Sequence, residues 1–253
     1  MSGNSFAASR TTLDFRNRRA LVSGASRGIG EVIARTLLGL GASVAVTSTG
    51  SAPTWVAGHA NAMHFELDFG RPATVDVFFR GVEQFGPPDV LVNNAGIHQP
   101  QSVDEITDAA WDAIFDVNLR GPMQLMRHFA AQMKGRRSGR IVNVASIAGT
   151  VCKRSAGAYS SSKLGLLGFT RAAAIDLAPF GVLVNAVSPG TTQTEMVERI
   201  LTEEQKRTII AGIPLGRFAT PQEIANAVVF LASDLNTYIT GQNLIVDGGT
   251  VIA

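Results

Sequence analysis

The chain has 253 residues, 45% of them hydrophobic, and its 22 Lys and Arg nearly balance its 20 Asp and Glu. A chain of this length and apolar content can bury one large core, so we expect one folded domain. The small charge excess gives no support to nucleic-acid binding, and we expect no such partner. The single basic cluster is interpreted as a solvated helix end and the loop after it: Lys134, Arg136, Arg137 and Arg140.

The remaining composition indicates a reducing compartment and no metal centre. Cys152 is the only cysteine, which excludes an intrachain disulfide, and the four histidines lack the spacing of metal ligands and are interpreted as surface or core residues. The N-terminal residues lack the long apolar stretch of a signal peptide, and no run reaches the roughly 18 apolar residues of a membrane span. We therefore expect a cytoplasmic protein without membrane contact, with a flexible tail over residues 1–15 and the folded domain over residues 16–253.

Seven short runs rich in β-branched residues alternate with longer amphipathic segments: "RALVS", "SVAVT", "MHFEL", "DVLVN", "RIVNVAS", "VLVNAVS" and "NLIVDG". The runs are apolar on both faces of the pleat, which is typical of a parallel sheet covered by helices on both faces. The alternation predicts an α/β fold with a doubly wound, seven-stranded parallel sheet. Only a short segment with Pro53 separates the second run from the third, so a full crossover helix barely fits there.

The first of these runs leads into a glycine-rich stretch, "SGASRGIG", at residues 23–30. The stretch continues into the helical pattern of Val32, Ile33, Leu37 and Leu38. A strand followed by such a turn and helix directs the free N–H groups of the helix start toward an anion, usually a phosphate. The turn alone is a weak indication, because any tight turn from a strand into a helix uses the same residue types.

Polar residues end the fourth and fifth predicted strands and begin the helix after them. "NNAG" at residues 93–96 ends the fourth strand, where a doubly wound sheet opens its ligand crevice, and "GRIVNVAS" brings Ser146 to the end of the fifth. In "YSSSK", Tyr159 and Lys163 are four residues apart and therefore share one face of the helix predicted over Ala158–Leu177. The spacing between Ser146 and Tyr159 leaves room for a loop that brings the two hydroxyls together.

With these motifs the chain resembles the short-chain dehydrogenase/reductase family over residues 17–249. The matching stretches are "SGASRGIG", with Ser23 where the family usually has threonine, "NNAG", "DVNL" around Asn118, Ser146, "YSSSK", "SPGTTQTEM" and "GQNLIVDGG". The resemblance implies a single Rossmann-type catalytic domain and an NAD(P)-dependent oxidoreductase that acts on a secondary alcohol or a ketone. It also implies a homotetramer that works without a metal.

The candidate catalytic residues are Asn118, Ser146, Tyr159 and Lys163. Hydride transfer to or from a carbinol carbon needs a group that moves the hydroxyl proton, and a tyrosine with its ordinary pKa of about 10 is too weak a base at neutral pH. We expect the Lys163 ammonium, one helical turn away, to lower the pKa of Tyr159. Ser146 would hydrogen-bond the substrate oxygen. The resemblance implies that Asn118 holds a water that links Lys163 to solvent.

The end of the second strand favours NADP(H), with NAD(H) as the alternative cofactor. NAD enzymes usually carry a carboxylate at this position for the ribose diol, whereas this chain has Ser48, and an acid would repel a 2′-phosphate. The hydroxyls of Ser48 and Thr49 and the guanidinium of Arg27 could bind that phosphate.

The resemblance assigns the other cofactor contacts. Asp68 would meet the adenine amino group, Asn94, Ala95 and Gly96 would pass under the adenine ribose, and Thr192 and Thr194 would face the nicotinamide carboxamide. The predicted cofactor site is completed by Gly24, Ser26, Gly28, Ile29, Gly30, Tyr159, Lys163, Pro189 and Gly190.

Substrate identity is open between two classes. The C-terminal stretch from "PLGRFATPQEI" to "IVDGG" is most similar to the 3-oxoacyl-(acyl-carrier-protein) reductases of the family, which hold the acidic carrier protein with basic residues. Arg137 lies at one of those basic positions, but Phe180 replaces the other. Lys153 and Arg154, before Tyr159, could instead approach a small anionic substrate.

Two further hypotheses remain. The short segment at residues 50–61 resembles that of sugar-acid dehydrogenases, which commonly use NAD. A family member without catalysis would be a nucleotide-binding regulatory subunit, but all four catalytic positions are occupied here, which argues against it.

Overall fold

The computed structural model describes residues 12–253, apart from the side chains of Met196, Arg199 and Ile200, and is built on a seven-stranded parallel sheet. The strands are β1 (Arg19–Val22), β2 (Ser43–Ser48), β3 (Ala62–Glu66), β4 (Val90–Asn93), β5 (Gly139–Val144), β6 (Val182–Pro189) and β7 (Asn243–Val246). Their order across the sheet is β3-β2-β1-β4-β5-β6-β7, and every neighbouring pair is parallel. The predicted fold class is confirmed.

Helices pack on both faces of this sheet. The α-helices of the described residues are α1 (Gly28–Gly39), α2 (Pro72–Gly81), α3 (Asp108–Phe115), α4 (Gly121–Arg136), α5 (Gly157–Leu177), α6 (Glu195–Ile200), α7 (Glu203–Ala211) and α8 (Pro221–Ala232). Strand β1 is apolar on both sides because each side faces a core. Ala20 and Val22 face the core formed with α1 and α8, whereas Leu21 faces the core formed with α2, α4 and α5.

The chain direction across the sheet reverses between β1 and β4. From β1 the chain winds outward to β2 and β3, and then returns to β4 on the other side of β1. Loops that follow neighbouring strands on either side of such a reversal separate and leave a crevice at the carboxyl ends of the strands. The glycine-rich turn after β1 and the turn after β4 therefore form the two sides of this crevice.

The connection from β2 to β3 contains a single short 3₁₀ turn, Val56–Gly58, instead of an α-helix. The side chain of Trp55 covers the sheet there and is 8% exposed, with the Arg35 guanidinium 5.2 Å from the centroid of its ring. The expectation that a full crossover helix barely fits this segment is confirmed.

Packing at the N-terminus begins before the predicted domain start at residue 16. Residues 1–11 of the predicted tail lie outside the described residues. Phe15, assigned to the tail, is 1% exposed and packs in the core with α1, and its backbone N–H donates to the carbonyl of Leu40 at 2.9 Å. Phe15 follows a polar stretch in the sequence, but its ring belongs to the folded part.

The structure also bears on the basic cluster, on membrane contact and on metal binding. Arg140, interpreted as a loop residue, lies in β5, and its Nη2 donates to the carbonyl of Asn236 at 3.2 Å. Between residues 12 and 253, no helix is long and apolar enough to cross a membrane. The same residues include no group of three or more His, Cys, Asp or Glu side chains placed to bind a metal ion.

Candidate active site

The glycine-rich turn after β1 packs directly on the turn after β4. Gly24 has a φ of +64°, and a Cβ there would lie 2.7 Å from Cα of Ala95. A Cβ at Gly30 would lie 2.3 Å from Nδ2 of Asn94. Nδ2 of Asn94 in turn donates to the carbonyls of Ser23 and Gly24 at 3.0 and 2.9 Å. These two glycines are therefore required by the contact between the turns, because no side chain fits between them.

Ser23 fulfils the role of the threonine that the family usually has at this position. Its Oγ accepts hydrogen bonds from the backbone N–H groups of Asn94 and Ala95 at 3.0 and 3.1 Å, and the residue is 1% exposed. Only the hydroxyl is used in these bonds. The replacement therefore leaves the junction between the two turns intact.

Helix α1 begins beside this junction with its N-terminal N–H groups available. Arg27 occupies the N-cap position, where its side chain makes no capping hydrogen bond. In the part of the chain that the structure describes, its exposed guanidinium has no ion-pair or hydrogen-bond partner. Backbone N–H groups at a helix start and an adjacent cation attract an anion, so these residues fit the phosphates of a dinucleotide.

Two of the predicted 2′-phosphate residues, Ser48 and Thr49, lie at the end of β2. Ser48 is 9% exposed, and its Oγ lies 2.8 Å from Nε2 of His64 and 3.1 Å from the carbonyl oxygen of Gly50. His64 was interpreted as a surface or core residue, and this interpretation missed its contact with a candidate cofactor residue. The contact joins neighbouring strands and has no counterpart in local sequence spacing.

Arg71 is a second residue near the cofactor site that sequence reasoning missed. Its Nε donates to Oδ2 of Asp68 at 2.9 Å, and its Nη2 donates to Oε1 of Glu66 at 2.9 Å and to the carbonyl of Thr49 at 3.3 Å. The guanidinium therefore joins the end of β2 to the segment after β3. It orients the carboxylate that the resemblance assigns to the adenine amino group.

The candidate catalytic side chains meet where β5 ends and α5 begins. Ser146 follows β5, and α5 starts at Gly157, one residue before the predicted start. The Ser146 hydroxyl lies close enough to the Tyr159 phenol to lower the pKa of that phenol. Nζ of Lys163 lies 5.9 Å from the centroid of the Tyr159 ring and donates to the carbonyl of Val144 at 2.9 Å. The predicted proximity of Ser146, Tyr159 and Lys163 is confirmed.

Burial shifts the pKa values of both Tyr159 and Lys163. Burial raises the pKa of Tyr159, and the hydrogen bond from Ser146 lowers it by less. Burial also lowers the pKa of Lys163 to about 8. In this structure burial of the phenol has the larger effect on the pKa of Tyr159, and the Lys163 ammonium donates to the Val144 carbonyl, so the effect of Lys163 on that pKa stays a prediction.

Asn118 lies beside this group in a π-helical turn, Asp116–Arg120, between α3 and α4. Asn118 is fully buried, and its Oδ1 accepts from the N–H of Ile97 at 2.8 Å. Its Nδ2 donates to the carbonyl of Ile97 at 2.9 Å and to Oγ of Ser162 at 3.0 Å. The side chain thus fixes the segment after "NNAG" to helix α5, and both of its N–H groups are used by protein partners.

A cavity of about 390 Å³ lies over the catalytic side chains. The predicted site residues in its wall are Ile29, Asn94, Gly96, Ser146, Tyr159, Lys163, Pro189, Gly190, Thr192 and Thr194. The others lie outside the wall, along the turn after β1, at the ends of β2, β3 and β4, and behind α5: Gly24, Ser26, Arg27, Gly28, Gly30, Ser48, Thr49, Asp68, Ala95 and Asn118. We call the predicted residues outside the wall, apart from the fully buried Asn118, the rim of the site.

His98 is the cavity residue that sequence reasoning missed. Its ring centroid lies 4.6 Å from that of Tyr159 in an edge-on arrangement, and burial lowers its pKa. It was interpreted as a surface or core residue, although its position two residues after "NNAG" could have indicated the cavity. Lys153 and Arg154 also line the wall, and the lining residues include no carboxylate.

Comparison with known proteins agrees with this geometry. A sequence model of the family described as enoyl-(acyl carrier protein) reductase matches residues 24–251. The chain belongs to the short-chain dehydrogenase/reductase family. It is 39% identical over 241 residues to the 3-oxoacyl-(acyl-carrier-protein) reductase of Escherichia coli, covering 94% of this chain and 98% of that protein. The Staphylococcus aureus enzyme of the same name is 39% identical over 240 residues, covering 92% and 97%.

A solved structure in the same family has a similar fold over its whole length. The gluconate 5-dehydrogenase of Burkholderia cenocepacia, in complex with NADP and tartrate, superposes with a TM-score of 0.89 at 30% identity, covering 95% of this chain and 98% of that one. With this membership the chain is an NAD(P)-dependent oxidoreductase that transfers a hydride between nicotinamide and a carbonyl or secondary alcohol. The predicted family and enzyme class are confirmed.

Proposed function

We propose that this protein reduces the ketone of a 3-oxoacyl group carried on acyl-carrier protein, with NADPH as its cofactor. The observation that carries the proposal is the meeting of Ser146, Tyr159 and Lys163 in one cavity next to the free start of α1. The 39% identity to 3-oxoacyl-(acyl-carrier-protein) reductases over nearly the whole chain supports the substrate class. We further propose that the residues from Phe15 onward form one catalytic domain in a cytoplasmic enzyme.

Tyr159 acts as the proton donor in this proposal. Its pKa is raised by burial, so the phenol keeps its proton at neutral pH and can transfer it to a carbonyl oxygen that gains negative charge. Ser146 holds that oxygen by a hydrogen bond. Lys163, whose pKa is lowered to about 8, stabilises the phenolate once the proton has left. Asn118 is a positioning residue that fixes the segment of Ile97 to α5.

The remaining predicted residues hold NADP(H), which when bound supplies the hydride. Arg27, Ser48 and Thr49 bind the 2′-phosphate, and Asp68, oriented by Arg71, binds the adenine. The turn residues bind the pyrophosphate and ribose: Gly24, Ser26, Gly28, Ile29, Gly30, Asn94, Ala95 and Gly96. The residues after β6 face the nicotinamide: Pro189, Gly190, Thr192 and Thr194. The complex of the related gluconate 5-dehydrogenase with NADP supports this choice of cofactor.

An exposed basic surface at the end of α4 fits an acidic carrier protein. Nζ of Lys134 lies 4.3 Å from the ring centroid of Phe180, and Arg137 donates to the carbonyl of Pro179 at 2.9 Å. Phe180 replaces a basic residue of the 3-oxoacyl-(acyl-carrier-protein) reductases, but Lys134 covers its ring and supplies a positive charge there. Complementary charge of this kind steers association and fixes orientation.

Apolar side chains on the outer faces of α3 and α5 support a homotetramer. Trp111, Leu164 and Ile175 are 38%, 58% and 76% exposed. Exposed apolar groups on long helices are typical of surfaces that pair with a symmetry-related copy. Sedimentation velocity should find a species of four chains, each of 26.7 kDa, and a monomer at micromolar concentration would contradict the assignment.

The deciding experiment follows NADPH oxidation with a 3-oxobutanoyl thioester carried either on acyl-carrier protein or on a small thiol. We expect turnover with both and a lower KM with the carrier protein. Lys134→Ala combined with Arg137→Ala should raise KM for the carrier-bound substrate and leave the small thioester unchanged. NADPH binding without turnover on any ketone would contradict the proposal and favour a regulatory subunit.

A second candidate is a dehydrogenase of a small anionic hydroxy compound such as a sugar acid. Lys153 and Arg154 line the cavity, have no side-chain partner among residues 12–253, and face no carboxylate in its wall. The related gluconate 5-dehydrogenase was solved with tartrate, a dicarboxylate. Gluconate oxidation that is faster than 3-oxoacyl reduction, and that is lost in Lys153→Ala with Arg154→Ala, would favour this candidate.

A further inference from the structure

His64 reaches across the sheet edge to a residue of the cofactor rim. It lies on β3 and pairs with Val46 of β2, which is two residues before Ser48 at the end of that strand. From there its Nε2 comes within 2.8 Å of Oγ of Ser48. The imidazole is partly buried, whereas the hydroxyl of Ser48 lies in a nearly closed position, 9% exposed.

The hydrogen-bond capacity of Ser48 defines what His64 can do when an anion binds. A hydroxyl has one proton to donate and two lone pairs that accept. In this structure that proton is directed to the carbonyl oxygens of Gly50 and Ser51, at 3.1 and 3.4 Å. If the proton stays there, or if it moves to a phosphate oxygen, Ser48 can only accept from His64, so Nε2 must carry a hydrogen. Both the Nε2–H form of neutral histidine and the imidazolium satisfy this condition, and only the imidazolium adds a positive charge.

The charged groups around His64 leave it able to gain a proton. Burial lowers its pKa, and the carboxylate of Glu66, two residues along β3, raises it by less. Glu66 is itself paired with Arg71 at 2.9 Å. On the connection from β2 to β3, the Nδ1 of His59 lies 2.8 Å from the Trp55 carbonyl oxygen, and across the rim Arg27 precedes α1. A phosphate dianion near Ser48 would shift this balance toward the imidazolium.

We propose that His64 donates a hydrogen bond to Ser48 and takes up a proton when the 2′-phosphate of the cofactor binds, so that selectivity for NADPH over NADH increases as the pH falls. His64 is in this sense a positioning residue that acts through Ser48. The inference rests on the proposed function, since it takes the end of β2 as the 2′-phosphate site.

The direction of the pH effect follows from linkage. A ligand that raises the pKa of a histidine binds more tightly below the pKa of its complex than above it. NADH has no 2′-phosphate and should show little of this effect. The 2′-phosphate itself protonates with a pKa near 6, which weakens NADPH binding at low pH, so the inference is tested by the difference between wild type and a His64 variant.

The test is the ratio of the NADH and NADPH dissociation constants at about pH 8, 7 and 6 and fixed ionic strength, in wild type, His64→Gln and His59→Gln. Gln can still donate to Ser48 but cannot become charged. Between the highest and the lowest pH, we expect the selectivity of wild type for NADPH to rise by about twofold to fivefold, and we expect His64→Gln to lack this rise. The size is that of a partly exposed charge interaction. The His59→Gln control should behave as wild type. Equal pH dependence in wild type and His64→Gln would overturn the inference.

A second measurement tests the inference without a substitution at His64. Calorimetry of NADPH binding in two buffers with different ionisation enthalpies gives the number of protons taken up. We expect net proton uptake by wild type near neutral pH with NADPH that exceeds the uptake with NADH, and a reduced difference in Ser48→Ala. No difference between the two cofactors would overturn the inference.

Arg27→Ala separates this inference from the proposed function. If Arg27→Ala weakens both cofactors equally and wild type shows no preference for NADPH at any pH, the 2′-phosphate site itself is wrong. Suppose instead that Arg27→Ala removes the NADPH preference, and that the pH dependence of this preference is the same in wild type and His64→Gln. The 2′-phosphate site is then supported, and the role proposed for His64 is wrong.

Discussion

The two ends of the site are built in opposite ways. At the end of β5 and the start of α5, the polar groups are buried: Lys163 is 3% exposed and donates to a backbone carbonyl. Next to the ends of β2 and β3, charged side chains are open to solvent: Arg71 and Glu66 are 56% and 53% exposed and pair with each other. Burial therefore shifts the pKa values in the catalytic part, whereas the rim presents exposed charges to a ligand.

The difference predicts that chemistry and cofactor choice can be altered separately. A substitution in the buried part should change turnover without changing the preference between NADPH and NADH. A substitution in the rim should change that preference and leave turnover at saturating cofactor nearly unaltered. The predictions below run from the largest expected effect to the smallest.

Tyr159→Phe should have the largest effect, because it removes the proposed proton donor and keeps the ring. We expect kcat to fall by between about a hundredfold and ten-thousandfold, with nucleotide affinity nearly intact. Tyr238→Phe is the matched control, since Tyr238 is the other tyrosine of the chain and is 96% exposed. Steady-state kinetics and a fluorescence titration of NADPH measure both quantities. Retention of about a tenth of the activity would remove Tyr159 from this role.

Arg27→Ala should weaken NADPH and spare NADH. A charge-assisted hydrogen bond to phosphate contributes about 1.5–3 kcal/mol, so NADPH affinity should fall by about tenfold to a hundredfold. Arg80→Ala, at an exposed position in the last turn of α2, makes the same change of charge as a control. Titration of both nucleotides at one ionic strength gives the result. An equal loss for both cofactors would instead make Arg27 a turn residue near the pyrophosphate.

Gly30→Ala should loosen the junction on which both parts of the site depend. The added methyl group would lie 2.3 Å from Nδ2 of Asn94 and 2.4 Å from the carbonyl oxygen of Gly24, so we expect a loss of about 1–3 kcal/mol in the free energy of unfolding. Gly39→Ala, at the other end of α1, meets nothing within 4 Å and should be neutral or stabilising. Urea denaturation compares the two variants, and equal stability would contradict the close contact.

Ser48→Asp should give the smallest shift, in the direction of NADH. The new carboxylate would repel a 2′-phosphate and could accept hydrogen bonds from both ribose hydroxyls. His64 lies within reach of position 48 and would offset part of the new charge, so we expect a change of severalfold and not a full reversal. Gln132→Glu, at an exposed position of α4, serves as a control for added charge. An unchanged NADH to NADPH ratio would contradict the placement of the 2′-phosphate.

Local patterns made the fold and the buried part of the site predictable. The seven β-branched runs correspond to the seven strands, because residues apolar on both sides of a pleat fit only a covered parallel sheet. Tyr159 and Lys163 were brought together by helical spacing alone. The position of Ser146 followed from the rule that the carboxyl ends of parallel strands meet at one edge.

The parts that the sequence did not reveal depend on contacts between distant segments. His64 and Arg71 act across neighbouring strands, and nothing in their local spacing marks them. The pKa of Tyr159 depends on how deeply the packed protein buries the phenol, which a motif does not encode. Phe15 follows a polar stretch, and only the packing of its ring against the α1 core shows that the folded part begins before residue 16.

The most direct test of the division between chemistry and cofactor choice is a single set of measurements on wild type, Tyr159→Phe and Arg27→Ala. For each protein, kcat at saturating cofactor and the ratio of NADH to NADPH dissociation constants are determined with the same 3-oxoacyl thioester. We predict that Tyr159→Phe has a much lower kcat and the wild-type ratio of dissociation constants. Arg27→Ala should have the wild-type kcat and a ratio that no longer favours NADPH. A variant that changes both quantities together, or Tyr159→Phe with near wild-type turnover, would contradict the account.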